Sequence, residues 1–373
     1  MAGTDKFYVN DEENLIMKKW RLVKKLTGLL IYIIAISVIL AGCGKESLKL
    51  ESGNNYIEEQ GGAKVRVGSL KGATSIGLLY LMDSAGGVCA AEGADDTETS
   101  GESRGNEYEF TMATQADELL ALMVKGELDV ALVPANVASI LYQKTEGGIA
   151  VVDINTLGVL YMVTGDESIA EIEDLKGRKI YLTGKGTTPD YVLHYILEEN
   201  GLVEGDYTLE YKSEATEVAA VLAQEPEAIG LLPQPFVTAA CLQNEALQVV
   251  FDMNEEWDKL QGEDGSRMVT GVTVVRREYL EQQEKAVEIF LTDHAESVKN
   301  MNENVEEGAA LAVAAGIIAK EPIAVKAIPE CNIACMTGVE MQQALSGYLE
   351  VLYEQAPEAV GGSLPEEDFY YVP

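Results

Sequence analysis

Two short segments carry the residue types that a small-molecule site needs. Lys71-Gly72-Ala73-Thr74 follows the apolar run 65–70, and Lys185-Gly186-Thr187-Thr188 follows the run 179–183 and Gly184. Each sets a cation, a glycine and a hydroxyl between an expected strand and an expected helix. Glycine lets a ligand approach the backbone closely, and the free N–H groups and dipole of a helix start favour a negative group. The opposed reading is that Thr74 and Thr188 cap helices and the glycines merely turn the chain. Any one turn, taken singly, reads that way. Lys71 and Lys185 either add a cationic contact or are simply solvated. A second pair comes in the same order: Ala131-Leu132-Val133-Pro134 and Gly230-Leu231-Leu232-Pro233 each open a helix. Lys71 and Pro134 lie 63 residues apart, Lys185 and Pro233 48 apart, and the segment 85–105 accounts for the excess. Two copies of one βα arrangement imply two similar lobes, whose carboxyl strand ends could clamp a ligand.

The elements that must position these turns alternate in an α/β rhythm. Strands are expected at 65–70, 107–112, 129–133, 149–154, 179–183, 207–212, 228–232, 248–252 and 270–275. Helices are expected at 74–84, 115–126, 135–144, 188–200, 214–224, 234–243, 283–304, 306–318 and 338–355. The stretch 85–105, rich in Gly, Ser and acids, reads as a surface loop with Cys89 as a solvent-facing thiol. Phe236, directly after Pro233-Gln234-Pro235, either stacks on a flat ligand or packs in the core.

Other chemistry is thin. Gly101-Glu102-Ser103-Arg104-Gly105 has the letters of a nucleophile elbow but lacks the strand before it and the helix after it. No phosphate loop, H-E-x-x-H or C-x-x-C occurs. Cys331 and Cys335, four apart, would share one face of a helix; they read as partly buried thiols rather than a metal pair or a strained bridge. His194 reads as a helix-packing residue and His294, between Asp293 and Glu296, as a surface one. Tyr80 and Tyr142 read as helix-face packing, Trp257 as a lid or surface anchor. Glu214, beside Ser213, is the best candidate for a cleft acid, weighed against a helix N-terminal carboxylate. No catalytic residue, cofactor or metal ligand is expected.

Composition bounds the partners. Hydrophobic residues make up 47% and charged residues 24%, a globular balance with room for two domains. A net charge of −35 argues against nucleic acid, which needs clustered Lys and Arg. Two histidines make a His-rich metal site unexpected, and five cysteines are too few for a disulfide scaffold. Lys18, Lys19, Arg21, Lys24 and Lys25 precede the uncharged run 26–42, the pattern of a signal peptide over 1–42, with Met17 as an alternative start. Leu40-Ala41-Gly42-Cys43 closes the run as a lipobox, making Cys43 the lipidated residue and mature N-terminus. A plain membrane helix is the other reading of the run. Residues 43–62 read as the lipidated cysteine and a flexible tether.

Val67-Gly68-Ser69-Leu70-Lys71-Gly72, Val133-Pro134-Ala135-Asn136, Asp174-Leu175-Lys176-Gly177-Arg178-Lys179-Ile180 and Leu232-Pro233-Gln234-Pro235-Phe236 together resemble ABC-transporter solute-binding lipoproteins. The nitrate/sulfonate/taurine group, related to binders of thiamine-pyrimidine precursors, is the branch they resemble. The resemblance spans nearly all of 63–373. It implies an α/β, two-lobed type II periplasmic-binding-protein fold, with crossings near Thr156–Val163 and Glu263–Thr270. Lobe one would be 63–158 plus 267–373, and lobe two 159–266. It also implies ligand contacts from Lys71, Gly72, Ala73, Thr74, Ser75, Asn136, Gly186, Thr187, Thr188, Gln234, Pro235, Phe236 and Thr270. The implied partners are a small-molecule solute, an ABC permease and a membrane held through the lipid anchor, for a monomer on the extracytoplasmic face. The solute itself does not carry over, and the 85–105 insertion could reshape the cleft. The rival reading is an enzyme on the same fold, acting on a small organic acid or a pyrimidine precursor. A surface receptor or adhesion module is a further rival.

Overall fold

Alternating aliphatic runs and amphipathic stretches build two sheets flanked by helices. The computed structural model describes residues 63–86, 105–262 and 265–373. The expected signal peptide, Cys43 and expected tether, together with Cys89 and Ser103, lie outside the described residues. The chain begins β1 (Lys64–Leu70), α1 (Ala73–Ile76), α2 (Leu79–Ser84), β2 (Glu107–Ala113), α3 (Ala116–Val124), β3 (Val130–Pro134), α4 (Ala135–Lys144) and β4 (Ile149–Leu157). It continues β5 (Leu160–Thr164), β6 (Lys179–Thr183), α5 (Thr188–Glu199), β7 (Thr208–Lys212), α6 (Ala215–Gln224), β8 (Ile229–Pro233), α7 (Phe236–Gln243), β9 (Gln248–Asp252) and α8 (Met253–Gln261). It closes with β10 (Val269–Arg276), α9 (Arg277–Gln282), α10 (Glu284–Glu303), α11 (Val305–Ala314), α12 (Glu321–Ala327), β11 (Ile333–Met336) and α13 (Gly338–Gln355).

The six-stranded sheet runs β11-β4-β10-β3-β1-β2 and the five-stranded sheet β7-β6-β8-β5-β9. β1 is parallel to β2 and β3, as β6 is to β7 and β8. β10 is antiparallel to β3 and β4, as β5 is to β8 and β9. The orders β2-β1-β3-β10-β4 and β7-β6-β8-β5-β9 are therefore the same arrangement, and the sequence repeat is a structural one. Within each of these five-strand sets, the strand that runs against the others arrives from the other sheet. β5 follows β4 after only Gly158 and Val159, and β10 follows β9 and α8. Register fixes the equivalence: Gly271 opposes Pro134 in one sheet, Leu160 opposes Pro233 in the other.

Several expectations change. Helix 74–84 is two pieces, because the Thr74 and Ser75 hydroxyls turn back toward the Leu70 carbonyl and Gly77 weakens the helix there. The stretch 160–163, expected within a crossing, belongs to β5, an inner strand between β8 and β9. Trp257 is neither lid nor anchor: it is fully buried, its Nε1 donates to the Ser266 carbonyl (3.2 Å), and its ring lies 4.8 Å from Tyr195 and 5.3 Å from Tyr348. Met253 and Trp257, four apart, form the buried side of α8. His294 is not a surface residue but fully buried. Cys331 and Cys335 share no helix, since Cys335 lies on β11. Tyr142 is buried as expected, whereas Tyr80 is only partly so.

One apolar cluster joins the two sheets. Val272 of β10 and Met341 and Tyr348 of α13 belong to it together with Val192 and Ile196 of α5 and Trp257 of α8. Beside the first crossing, Asn332 Nδ2 donates to the Gly158 carbonyl (2.5 Å) and Tyr161 Oη to the Glu330 carbonyl (2.7 Å). Among the described residues, no helix is long and apolar enough to cross a membrane.

Candidate ligand site

The turn after β1 is built against the sheet. Lys71 N–H donates to the Ala113 carbonyl (2.9 Å), tying the turn to the end of β2. Ser75 is fully buried and Thr74 nearly so, while Gly72 and Ala73 are half-buried. Thr74 packs where Gly271 offers no side chain. A Cβ on Gly271 would stand 2.5 Å from Thr74 Cγ2 and 2.5 Å from Asn155 Oδ1. Glycine at that place is a requirement of the close approach. Thr74, Gly271 and Asn155 thus form one floor at the carboxyl ends of β1 and β4, and Thr270 precedes Gly271 at the start of β10. Thr156 belongs with them, its hydroxyl donating to Asn155 Oδ1 at 2.9 Å. Asn155 and Thr156 escaped sequence reasoning as site residues, although they interrupt the mostly apolar run 149–157 near its end. Asn136 donates instead toward the Ala359 carbonyl (3.4 Å), holding the C-terminal segment. Lys71 is exposed, and its Nζ lies 3.0 Å from the Cβ position of Gly316.

The equivalent turn after β6 is closed by its own carboxylate. Gly184 and Gly186 take positive φ of 77° and 70°, which turns the chain into α5. Thr187 Oγ1 donates to the Gly184 carbonyl (2.5 Å). Buried Asp190 accepts the Gly186 N–H at 2.8 Å and the Tyr211 hydroxyl at 2.7 Å. His194 Nε2 stands 3.4 Å from the same carboxylate, and its Nδ1 lies 2.9 Å from the Tyr207 hydroxyl. Burial alone would raise Asp190, but the hydrogen bonds from His194, Gly186 and Tyr211 outweigh it and hold the carboxyl below its ordinary range. The bond to Asp190 raises His194, against the opposing effect of burial. An anion arriving at Gly186 would therefore meet a carboxylate already holding that N–H. Lys185 lies over the Tyr211 ring, 5.4 Å from its centroid. Thr188 sits beside the buried Tyr348 hydroxyl of α13.

The turn after β8 is mostly committed to structure. Gln234 is buried, and its Oε1 accepts from Thr238 Oγ1 (2.9 Å) and more weakly from Thr238 N, closing the start of α7. Pro235 is half-buried and follows a cis peptide. Phe236 packs on the cluster of Val237, Leu222 and Leu232, the core side of its two readings. Glu214 proves to be a helix-start carboxylate in a capping box with Glu217. The structure thus gathers Thr74 and Thr270 on one sheet edge and Gly186 to Thr188 on the other. It assigns Asn136, Gln234 and Phe236 packing or capping partners.

Residues 93–353 match the family model described as menaquinone biosynthesis. The chain belongs to that family. No curated protein sequence matches it. Among solved structures, this family member is similar to an ABC transporter protein from Parabacteroides distasonis at 24% identity and TM-score 0.66, over 83% of this chain and 99% of that one. The periplasmic aliphatic sulphonate binding protein of Escherichia coli is similar at 16% identity and TM-score 0.64, over 83% and 92%. A putative periplasmic sulfonate-binding protein of Methylobacillus flagellatus follows at 14% and 0.59, over 84% and 92%. At such identities the likeness concerns the fold, and this family member has the two-lobed α/β periplasmic-binding-protein fold.

Proposed function

We propose that the chain is an extracytoplasmic binding protein, anchored through Cys43, that captures a small molecule between two lobes and delivers it to an ABC permease. Lobe one is taken as 63–158 with 267–373, lobe two as 159–266. The observation that carries this reading is the matched strand order of the two sheets, with the Thr74–Gly271–Asn155 floor at one carboxyl edge and the Gly186–Thr188 turn at the other. A ligand with greater affinity for the closed arrangement pulls the hinge shut, and the closed form docks on the permease. The groups on offer are hydroxyls, amides and backbone N–H. The sulfonate binders of the same fold and the lipobox support the transport role.

A second reading is favoured by the family match: an enzyme on this fold acting on a small organic acid or a pyrimidine precursor. One experiment separates the two. The protein is unfolded thermally with sulfonates, taurine, nitrate, pyrimidines and aromatic carboxylates, and each ligand is recovered and weighed by mass spectrometry. A ligand at a hundred times its Kd adds about 2.7 kcal/mol, a shift of several degrees. Ligand recovered unchanged supports capture; a converted product overturns it in favour of the enzyme. Substituting Thr74 and Thr188 by Val, which removes each hydroxyl without adding volume, should abolish the shift while leaving the unliganded midpoint nearly in place, and an unchanged shift would sink the site.

A further inference from the structure

Behind the floor of the site lies a set of buried polar groups that ligand capture does not use. The β4–β10 ladder slips between Thr273 and Val274, so that Asp153 opposes Thr273 while Val151 opposes Val274. Asp153, at this irregularity, meets His294 of α10. Both side chains are wholly without exposure, and His294 Nδ1 lies 3.1 Å from Asp153 Oδ2. Thr273 Oγ1 donates to Asp153 Oδ1 at 2.8 Å. Among the described residues no lysine or arginine pairs with Asp153, and His294 Nε2 is buried without a hydrogen-bond partner. Cys335, half-buried on β11, adds a thiol. One imidazole nitrogen, one carboxylate oxygen and Sγ all lie within 4.8 Å of one another.

We propose that Asp153, His294 and Cys335 bind a divalent transition metal of the zinc class. A nitrogen, an oxygen and a sulfur donor suit a borderline cation better than magnesium or calcium, which prefer oxygen alone. Thiolate and carboxylate carry two negative charges, which a divalent ion balances in an interior where unpaired charge is costly. Binding displaces the thiol proton to solvent and replaces the His294–Asp153 hydrogen bond, the neutral imidazole keeping its proton on the nitrogen that does not hold the ion. The Thr273 hydroxyl fixes the carboxylate from behind, the kind of support that metal ligands characteristically have. The three donors come from β4, α10 and β11, so the ion would tie the edge strand of the large sheet to its helix layer. Half-buried Cys335 marks the side of entry. The scarcity of histidine in the sequence argues against a His-rich site, but a mixed site needs only one.

The test uses the full chain, stripped with a chelator and titrated with Co²⁺ alone. Thiolate coordination produces an intense near-ultraviolet charge-transfer band, expected at one Co²⁺ per chain and reversed by added Zn²⁺. Cys335→Ser should lose the band, and Cys331→Ser should keep it. Thr273→Val should weaken binding by about ten- to a hundredfold, which provides the assignment even if Cys335→Ser fails to fold. A wild-type protein without the band, or a folded Cys335→Ser that retains it, overturns the proposal.

Discussion

The turns after β1 and β6 occupy equivalent places in two sheets of the same order, yet they are stabilised in opposite ways. The first leads into a helix of four residues and is pressed onto the sheet by the absence of a side chain at Gly271. The second leads into a helix of twelve residues and stays at the surface, with Gly184 and Gly186 in the left-handed region and Asp190 bonded back to Gly186. At the strand position equivalent to Gly271, the second lobe has Leu160. A repeated motif thus gives one floor shaped by packing and one rim shaped by hydrogen bonds. Packing tolerates little added volume, whereas a hydrogen-bonded rim responds to protonation.

The sharpest way to break this contrast is Gly271→Val, which forces methyl groups into Thr74 and Asn155. We expect a loss of about 3 kcal/mol, read as a lower urea midpoint, together with loss of ligand-induced stabilisation. A neutral result would mean that the floor is not tightly packed. Next in size, Asp190→Ala strands the Gly186 N–H, the Tyr211 hydroxyl and His194, at a cost of about 1–3 kcal/mol by denaturant unfolding. The same cluster contributes a pH dependence of its own. Asp190 is held low, so its contribution is complete above about pH 4 and is lost as pH falls through its lower folded value. His194 is held high, so its contribution is complete below about pH 6.5 and is lost as pH rises through its folded value. Urea midpoints measured across this range should fall at both ends in the wild type and fall less steeply at both ends in Asp190→Asn. The smallest effects belong to the lysines: Lys71→Ala and Lys185→Ala should each change stability by less than about 0.5 kcal/mol. A large loss of ligand affinity in Lys185→Ala alone would make the second turn the cationic contact after all.

Most of the architecture was legible in the chain itself. Strands 179–183 and 248–252 and helices 135–144 and 338–355 fall at the ranges that their patterns indicate, because period and punctuation there act locally. The repeat of Lys-Gly-x-Thr and of the prolines announced two equivalent sheets. Strand β5 was hidden because it continues an apolar run across Gly158 into another sheet, a partner choice that no local pattern encodes. His294 was misread from its neighbours Asp293 and Glu296. Phe290, four residues before it, and Val298, four after, mark the buried face on which it lies.

What the sequence by itself determined is therefore the α/β rhythm, the twofold repeat and the turns that lie at the carboxyl ends of strands. Only the tertiary structure decided which polar groups are spent within the protein and which remain for a ligand. Asp190 claims Gly186, Gln234 claims Thr238, and Asp153 of β4 meets His294, 141 residues further along the chain. The reason is physical. Periodicity is a property of neighbours along the chain, whereas a hydrogen-bond partner is settled by which distant strands and helices pack together.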